Sequence, residues 1–224
     1  MNSGPLLFLG LFAAMVCSWL GFIMEPQLQI GNLPQTNTVV VGDAISQTYP
    51  LTPSGDAHQG AEVYKANGCA ACHTQFVRPA ALGPDIAHNW GVRRSVAQDY
   101  LLQDTVLLGS QRIGPDLANF GRRADLNQIL MRLYNPRSVV ASSVMPSYKF
   151  LFETRKIEGT KSPEAVAFAE GFGPASGYEA IPRPEARALA AYLLNLRQDG
   201  YLFQAPPPPL PKTNSVPAAP AVKK

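Results

Sequence analysis

The chain has 224 residues, a formal charge of +3 and three cysteines, a size that suits one modest domain with appendages. The small charge, with Lys and Arg scattered rather than in blocks, gives nucleic-acid binding no support. Three cysteines are too few for a disulfide framework, and the twenty-one prolines gather towards the C-terminus.

From Pro5 to Met24 no residue is charged, a run of about twenty positions that can cross a bilayer core as a helix. Trp19 and Phe22 fall near one end, where aromatic rings sit at the membrane interface. A cleaved export signal is the rival reading. No Lys or Arg precedes the run and no clean small-x-small cleavage pattern follows it, so residues 1–24 are read as an uncleaved anchor. Ala14-Met15-Val16 is a poor lipidation box, which leaves Cys17 as a lipid-facing or helix-packing residue. Residues 25–54 are polar and rich in Gln, Thr and Pro. Thr38-Val39-Val40-Val41 has the composition of a short strand, but the segment is read as a spacer between membrane and folded domain.

The pattern changes at Asp56, a plausible N-cap; Gly60, Val63 and Tyr64 then form one helical face. That helix leads into Cys69-Ala70-Ala71-Cys72-His73, the C-x-x-C-H signature of covalent haem c attachment. The two thiols can reach the two vinyl groups of one porphyrin, and His73 follows as the proximal axial ligand. A zinc site would want further ligands at the right spacing, yet His58 and His88 are isolated. A thioredoxin-like dithiol would want a buried strand before it, where the sequence reads as helix. Since haem is attached to this motif outside the bacterial cytoplasmic membrane, residues after Met24 are expected in the periplasm.

The second axial ligand has few candidates. Met131 lies inside a helix predicted over 125–134, where methionine is usually core filler. Met145 stands in a non-helical stretch, and Pro146 keeps it extended, so a loop can lay its thioether against a flat cofactor. Met145 is the preferred ligand over His88, Met131 or an open site. The second imidazole nitrogen of His73 wants an acceptor that fixes its ring; the Gly114-Pro115-Asp116-Leu117 turn is the best candidate, and Pro115 is taken to orient His73. A last helix is expected from Pro184 to about Gln198, with Arg197 in its final turn. Residues 205–224 read as an extended or disordered Pro-rich tail.

Together these residues resemble a class I c-type cytochrome: a helix into C-x-x-C-H, a Gly-Pro-Asp-Leu turn, a helix, a Met-Pro loop and an amphipathic last helix. The resemblance implies that Gly60 and Tyr64 pack across Leu189 and Tyr192. It can be narrowed. The run Cys72-His73-Thr74-Gln75-Phe76-Val77-Arg78-Pro79 resembles the C-H-[ST]-Q-x-x-R-P of the membrane-anchored mono-haem subunit of cbb(3)-type cytochrome c oxidases. Gly109 to Leu117, Asn135-Pro136-Arg137 and Met145-Pro146-Ser147-Tyr148 resemble three further motifs of that subunit in the same order. The fold this implies is mainly α, a class I cytochrome c domain over 55–204 behind one N-terminal transmembrane helix. The function it implies is electron transfer, through one covalent haem c, from a cytochrome c or a second c-haem subunit to the catalytic haem-copper subunit. Arg78 and Arg112 are then candidate partners of the haem propionates. Residues 153–180 match no motif of the family and read as an insertion, with a short capped helix at Ser162-Pro163-Glu164. The alternatives are a free-standing anchored cytochrome serving another reductase, and a haem-based sensor with an exchangeable iron site.

Overall fold

The computed structural model describes residues 3–40 and 46–207. Most of the Pro-rich tail, from residue 208 onwards, therefore lies outside the described residues. Helix α1, Gly4–Ile30, is 27 residues long and apolar enough to cross a membrane. At 1.5 Å per residue it extends about 40 Å, more than a hydrocarbon core of about 30 Å. The helix continues past Met24, where the anchor was expected to stop. A π-turn over Leu20–Met24 precedes Pro26, and such a turn absorbs a missing proline donor. Gln29 then donates to Glu25 one turn back at 3.1 Å.

The segment read as a polar spacer is tied to the folded domain. Strand β1, Thr36–Val39, pairs antiparallel with β2, Ser46–Tyr49. Val40 bridges to Gly200, and Tyr201 donates to the Val39 carbonyl at 2.8 Å. Val40 and Tyr49 are each only 1% exposed. A few apolar side chains sufficed to dock a stretch whose average composition is polar.

Helix α2, Gly55–Ala66, begins at Ser54, whose side chain accepts from Ala57 N at 3.2 Å; Asp56 falls in the first turn instead of capping it. Helix α3, Leu126–Tyr134, is capped by Asp125 through Gln128 N at 2.9 Å and buries Ile129, Leu130, Leu133 and Tyr134. Helix α4, Pro184–Asn195, has proline in its first turn and a buried face of Ala186, Leu189, Tyr192 and Leu193. It stops before the expected Gln198. Leu196 turns to an extended ψ of 93°, and its carbonyl accepts from Gly121 N at 3.1 Å, so Arg197 lies beyond the last turn.

Helices α2 and α4 cross at a point where only glycine fits. A Cβ on Gly60 would lie 1.9 Å from the Ala188 carbonyl oxygen. The rings of Tyr64 and Tyr192 meet beside it, 5.3 Å between centroids. Helix α3 packs its apolar face into the same core, with Leu117, Phe120, Leu151 and Phe152.

Residues 153–180 are folded back by strands. Strand β3, Phe152–Lys156, pairs antiparallel with β4, Tyr178–Pro182. The short helix expected at Ser162 is a single turn. Glu179 takes the Ser162 amide at 2.7 Å, and Val166 N bonds the Ala180 carbonyl at 3.0 Å; both draw the chain onto β4 before a helix can propagate.

Three arginine–carboxylate groups stiffen the rest of the domain. Arg93 and Asp99, both side chains fully buried, pair at 2.7 Å and share the Tyr49 hydroxyl, and Arg93 also donates to the Gly200 carbonyl. Asp85 is held by Arg78 at 2.7 Å and Arg112 at 2.6 Å. Asp199 takes Arg122 at 2.7 Å and Arg197 at 3.0 Å.

Candidate cofactor-binding site

Helix α2 ends where Gly68 takes a left-handed φ of 66°, a conformation other residues adopt only with strain. This reversal starts the 3-10 turn Cys69–Ala71. His73 N closes it by bonding Cys69 O at 3.0 Å, so both sulfurs and the imidazole come off one compact turn. The three cysteines are free thiols; Cys17 is exposed on α1, away from this turn.

The segment 108–117 runs beside residues 70–75. Ser110 N bonds Ala70 O, Gln75 N bonds Leu108 O, Gly114 N bonds Cys72 O and Leu117 N bonds Thr74 O, all within 2.8–3.2 Å. These bonds bring the Pro115 carbonyl 2.8 Å from His73 Nδ1. A carbonyl only accepts, so the imidazole proton sits on Nδ1 and the lone pair on Nε2. Burial lowers the imidazole pKa, and the Pro115 contact opposes that only in part. The ring is therefore neutral and oriented. Gly114 makes room for it, because a Cβ there would lie 2.3 Å from His73 Cε1.

Asp116, fully buried, fixes the turn from beneath. It accepts from Thr74 Oγ1 at 2.6 Å, Phe76 N at 2.8 Å and Ala118 N at 2.8 Å. Gln75 in turn hydrogen-bonds the Tyr192 hydroxyl of α4 at 2.9 Å, linking the turn to the helix crossing. Sequence reasoning missed both roles. Asp116 was visible only as a turn residue, and its donors Thr74 and Phe76 lie 42 and 40 residues away, so no local pattern announces them.

Cys69, Cys72, His73 and Pro115 line one cavity of about 510 Å³ together with Met145, Pro146 and Tyr148. Its walls are otherwise mostly apolar, with Leu117, Phe120, Ile129, Leu133 and Leu193 at the core side. Burial raises the Cys69 thiol pKa and raises that of the Tyr148 hydroxyl, so both are neutral at physiological pH. Met145 is half-buried against the core. Its loop is held by Tyr148 N on Leu133 O at 2.8 Å, and Met145 N meets Ser143 Oγ at 3.3 Å. Met131 packs against the core and does not line the cavity; His88 is exposed, edge-on to Trp90.

Arg78 and Arg112 do not line the cavity. Both guanidiniums hold Asp85, and Arg112 also donates to the Phe76 carbonyl. The cation that does line it is Arg132 of α3. The spacing Ile129-Arg132-Leu133 puts it on the buried face of that helix, a signal present in the sequence and overlooked beside the leucines.

The residues present fit a haem: two unpaired thiols and a neutral imidazole with its lone pair on Nε2, around an apolar cavity of the volume typical of cofactor sites. A family model described as the cytochrome c oxidase mono-heme subunit, FixO, matches residues 22–197, more than half of the chain. No curated protein matches it.

Proposed function

The chain belongs to the FixO family, the mono-haem subunits of cytochrome c oxidase, and from that premise we propose that it is the anchored electron-transfer subunit of a cbb(3)-type terminal oxidase. The observation that carries this reading is the shared cavity of Cys69, Cys72, His73 and Met145. Haem c, when bound, supplies reversible one-electron chemistry at iron. Cys69 and Cys72 would hold the macrocycle through thioethers. His73 would offer Nε2 to the metal, with its ring plane held by the 2.8 Å bond to Pro115. Met145 would supply the thioether sulfur on the loop before Tyr148, a ligand that favours ferrous iron and a high potential.

The domain from 55 to 204 is assigned to the class I cytochrome c fold, supported by the crossing of α2 and α4 beside the Cys69–His73 turn. Helix α1 is assigned as a single-pass anchor in a bacterial cytoplasmic membrane, with the haem domain in the periplasm. The partners are the catalytic haem-copper subunit, and a cytochrome c or second c-haem subunit as donor. Arg78 and Arg112 are reassigned from haem propionates to the scaffold, because Asp85 already takes both.

The test is isolation of the full chain from membranes in mild detergent. Haem that survives denaturing electrophoresis, a c-type pyridine haemochrome spectrum and a co-purifying multi-span subunit are the expected results. Haem that washes out on denaturation would overturn the covalent assignment. A ferrous form that is high-spin and binds carbon monoxide readily would overturn the Met145 assignment and point to a sensor. Absence of any multi-span partner would leave a free-standing carrier.

A further inference from the structure

Arg132 is the one Arg or Lys among the residues lining the cavity, and no Asp or Glu lines it. Its guanidinium stacks over the Phe120 ring at 5.5 Å, and no ion pair or hydrogen bond to it is found among the described residues. Burial lowers its pKa, and no carboxylate lies close enough to oppose that effect. The neighbouring Arg123 shares the other contact with Phe120, at 5.6 Å, but donates to the Asp116 carbonyl and does not line the cavity. Burial strips part of the hydration from this cation, and the contact with Phe120 replaces only some of it. A guanidinium on the wall of an apolar cavity, with no counter-charge among the lining residues, is suited to pair with an anionic group of the occupant.

The shape of the wall limits which anion. A small free anion such as phosphate keeps most of its hydration unless several donors surround it. Beside Arg132 the wall is Phe120, Ile129, Leu133 and Pro136, all apolar. A carboxylate carried on a large apolar body satisfies both the cation and the wall. On the reading that this cavity takes haem, we propose that Arg132 binds a propionate carboxylate of that haem, and thereby sets its position and raises its reduction potential. The sign follows from charge: reduction adds an electron to the macrocycle, so a fixed cation nearby favours the ferrous form.

The experiment uses the full chain in detergent, with Arg132→Met, Arg132→Lys and Arg123→Gln beside the wild type. Arg132→Met keeps the stem over Phe120 and removes the charge. Each is read by redox titration and by the carboxylate bands of the redox infrared difference spectrum. Arg132→Met should lower the midpoint potential and shift a carboxylate band, Arg132→Lys should recover most of the potential, and Arg123→Gln should move both less. Wild-type potential and bands in Arg132→Met would overturn the proposal. So would a holoprotein that fails to form with Lys as well as with Met, since the role would then be packing by the guanidinium. A wild-type chain without covalent haem would sink the underlying reading instead, and is visible before any titration.

Discussion

The cavity wall and the arginine–carboxylate layer contain similar kinds of residues, arranged in opposite ways. In the layer every strong polar group is answered from within the protein. Arg93 meets Asp99, Tyr49 and a backbone carbonyl, and Asp85 and Asp199 each meet two arginines. In the cavity the groups line an apolar hollow without a counter-charge or a disulfide among the described residues: two free thiols, an imidazole whose proton is fixed at Nδ1, a thioether and the Arg132 guanidinium. Buried polar groups are normally partnered. A closed network is therefore scaffold, and a set of open valences around an apolar hollow marks a place for a guest.

Removing the guest's attachment should produce the largest effect. With both Cys69→Ala and Cys72→Ala, no thioether can form, and the apolar wall of Leu117, Phe120, Ile129, Leu133 and Leu193 stays open to water. Loss of a ligand that binds only the native state removes its stabilisation. The expected result is no haem after denaturing electrophoresis and a chain lacking a cooperative thermal transition. A double variant that melts as sharply as the holoprotein would mean that the cavity needs no occupant.

Breaking the closed side should cost stability and spare the spectrum. Asp99→Ala leaves Arg93, fully buried, without its carboxylate, a loss of about 3–5 kcal/mol. Replacing both partners by apolar residues of similar volume should recover much of it. Urea unfolding gives the energies, and the haem absorption of the surviving folded protein should stay unchanged. An altered spectrum in Asp99→Ala would join the two regions that the structure keeps separate.

The junction between them is Gly114. Gly114→Ala forces a methyl into the His73 ring, with Cε1 at 2.3 Å, so the imidazole or the turn must move. Overpacking of this kind costs about 1–3 kcal/mol. Because the displaced group is the expected ligand, the absorption bands of the haem should change together with the melting temperature. A shift in stability alone would show that the turn yields and His73 does not.

The same contrast explains what the sequence made legible. On the open side Cys69, Cys72 and His73 stand at close and unusual spacing, Pro115 and Met145 were proposed from their turn and loop, and all five line the cavity. The closed side joins near neighbours to residues far apart in the chain: Tyr49 with Asp99, Arg112 with Asp85, Arg122 with Asp199. Such pairs have no local signature. Arg78 and Arg112 were taken as propionate partners, and Asp85, seven residues after Arg78, was passed over. The docking of Val40 and of Ser46–Tyr49 and the pairing of β3 with β4 were missed for a related reason. Both depend on backbone bonds to distant residues, as Val40 makes with Gly200 and Val166 with Ala180, and average composition hides them. Helices were legible where the apolar period was clear, over 125–134 and from Pro184. Their ends shifted where tertiary bonds captured the backbone, as Gly121 does at Leu196.

The smallest effect expected is acid sensitivity at Asp85. Burial alone would push its carboxyl pKa up, but hydrogen bonds from Arg78 and Arg112 outweigh burial and hold it well below the usual carboxylate range. A carboxyl whose folded pKa is depressed binds fewer protons in the native than in the unfolded chain at intermediate pH. Its contribution is therefore complete above the unfolded value of about 3.9 and is lost as pH falls from there through the folded value. Arg78 is about a third exposed, so solvent screens part of the interaction, and the contribution is on the order of 1 kcal/mol. Asp85→Asn should lower stability at neutral pH and flatten the stability profile between about pH 4 and pH 2, with the haem bands unchanged. Parallel wild-type and variant profiles in that window would place the acid-labile group elsewhere. A variant that also lost the thioether-to-iron band would tie Asp85 to the cavity, against the separation of closed and open regions.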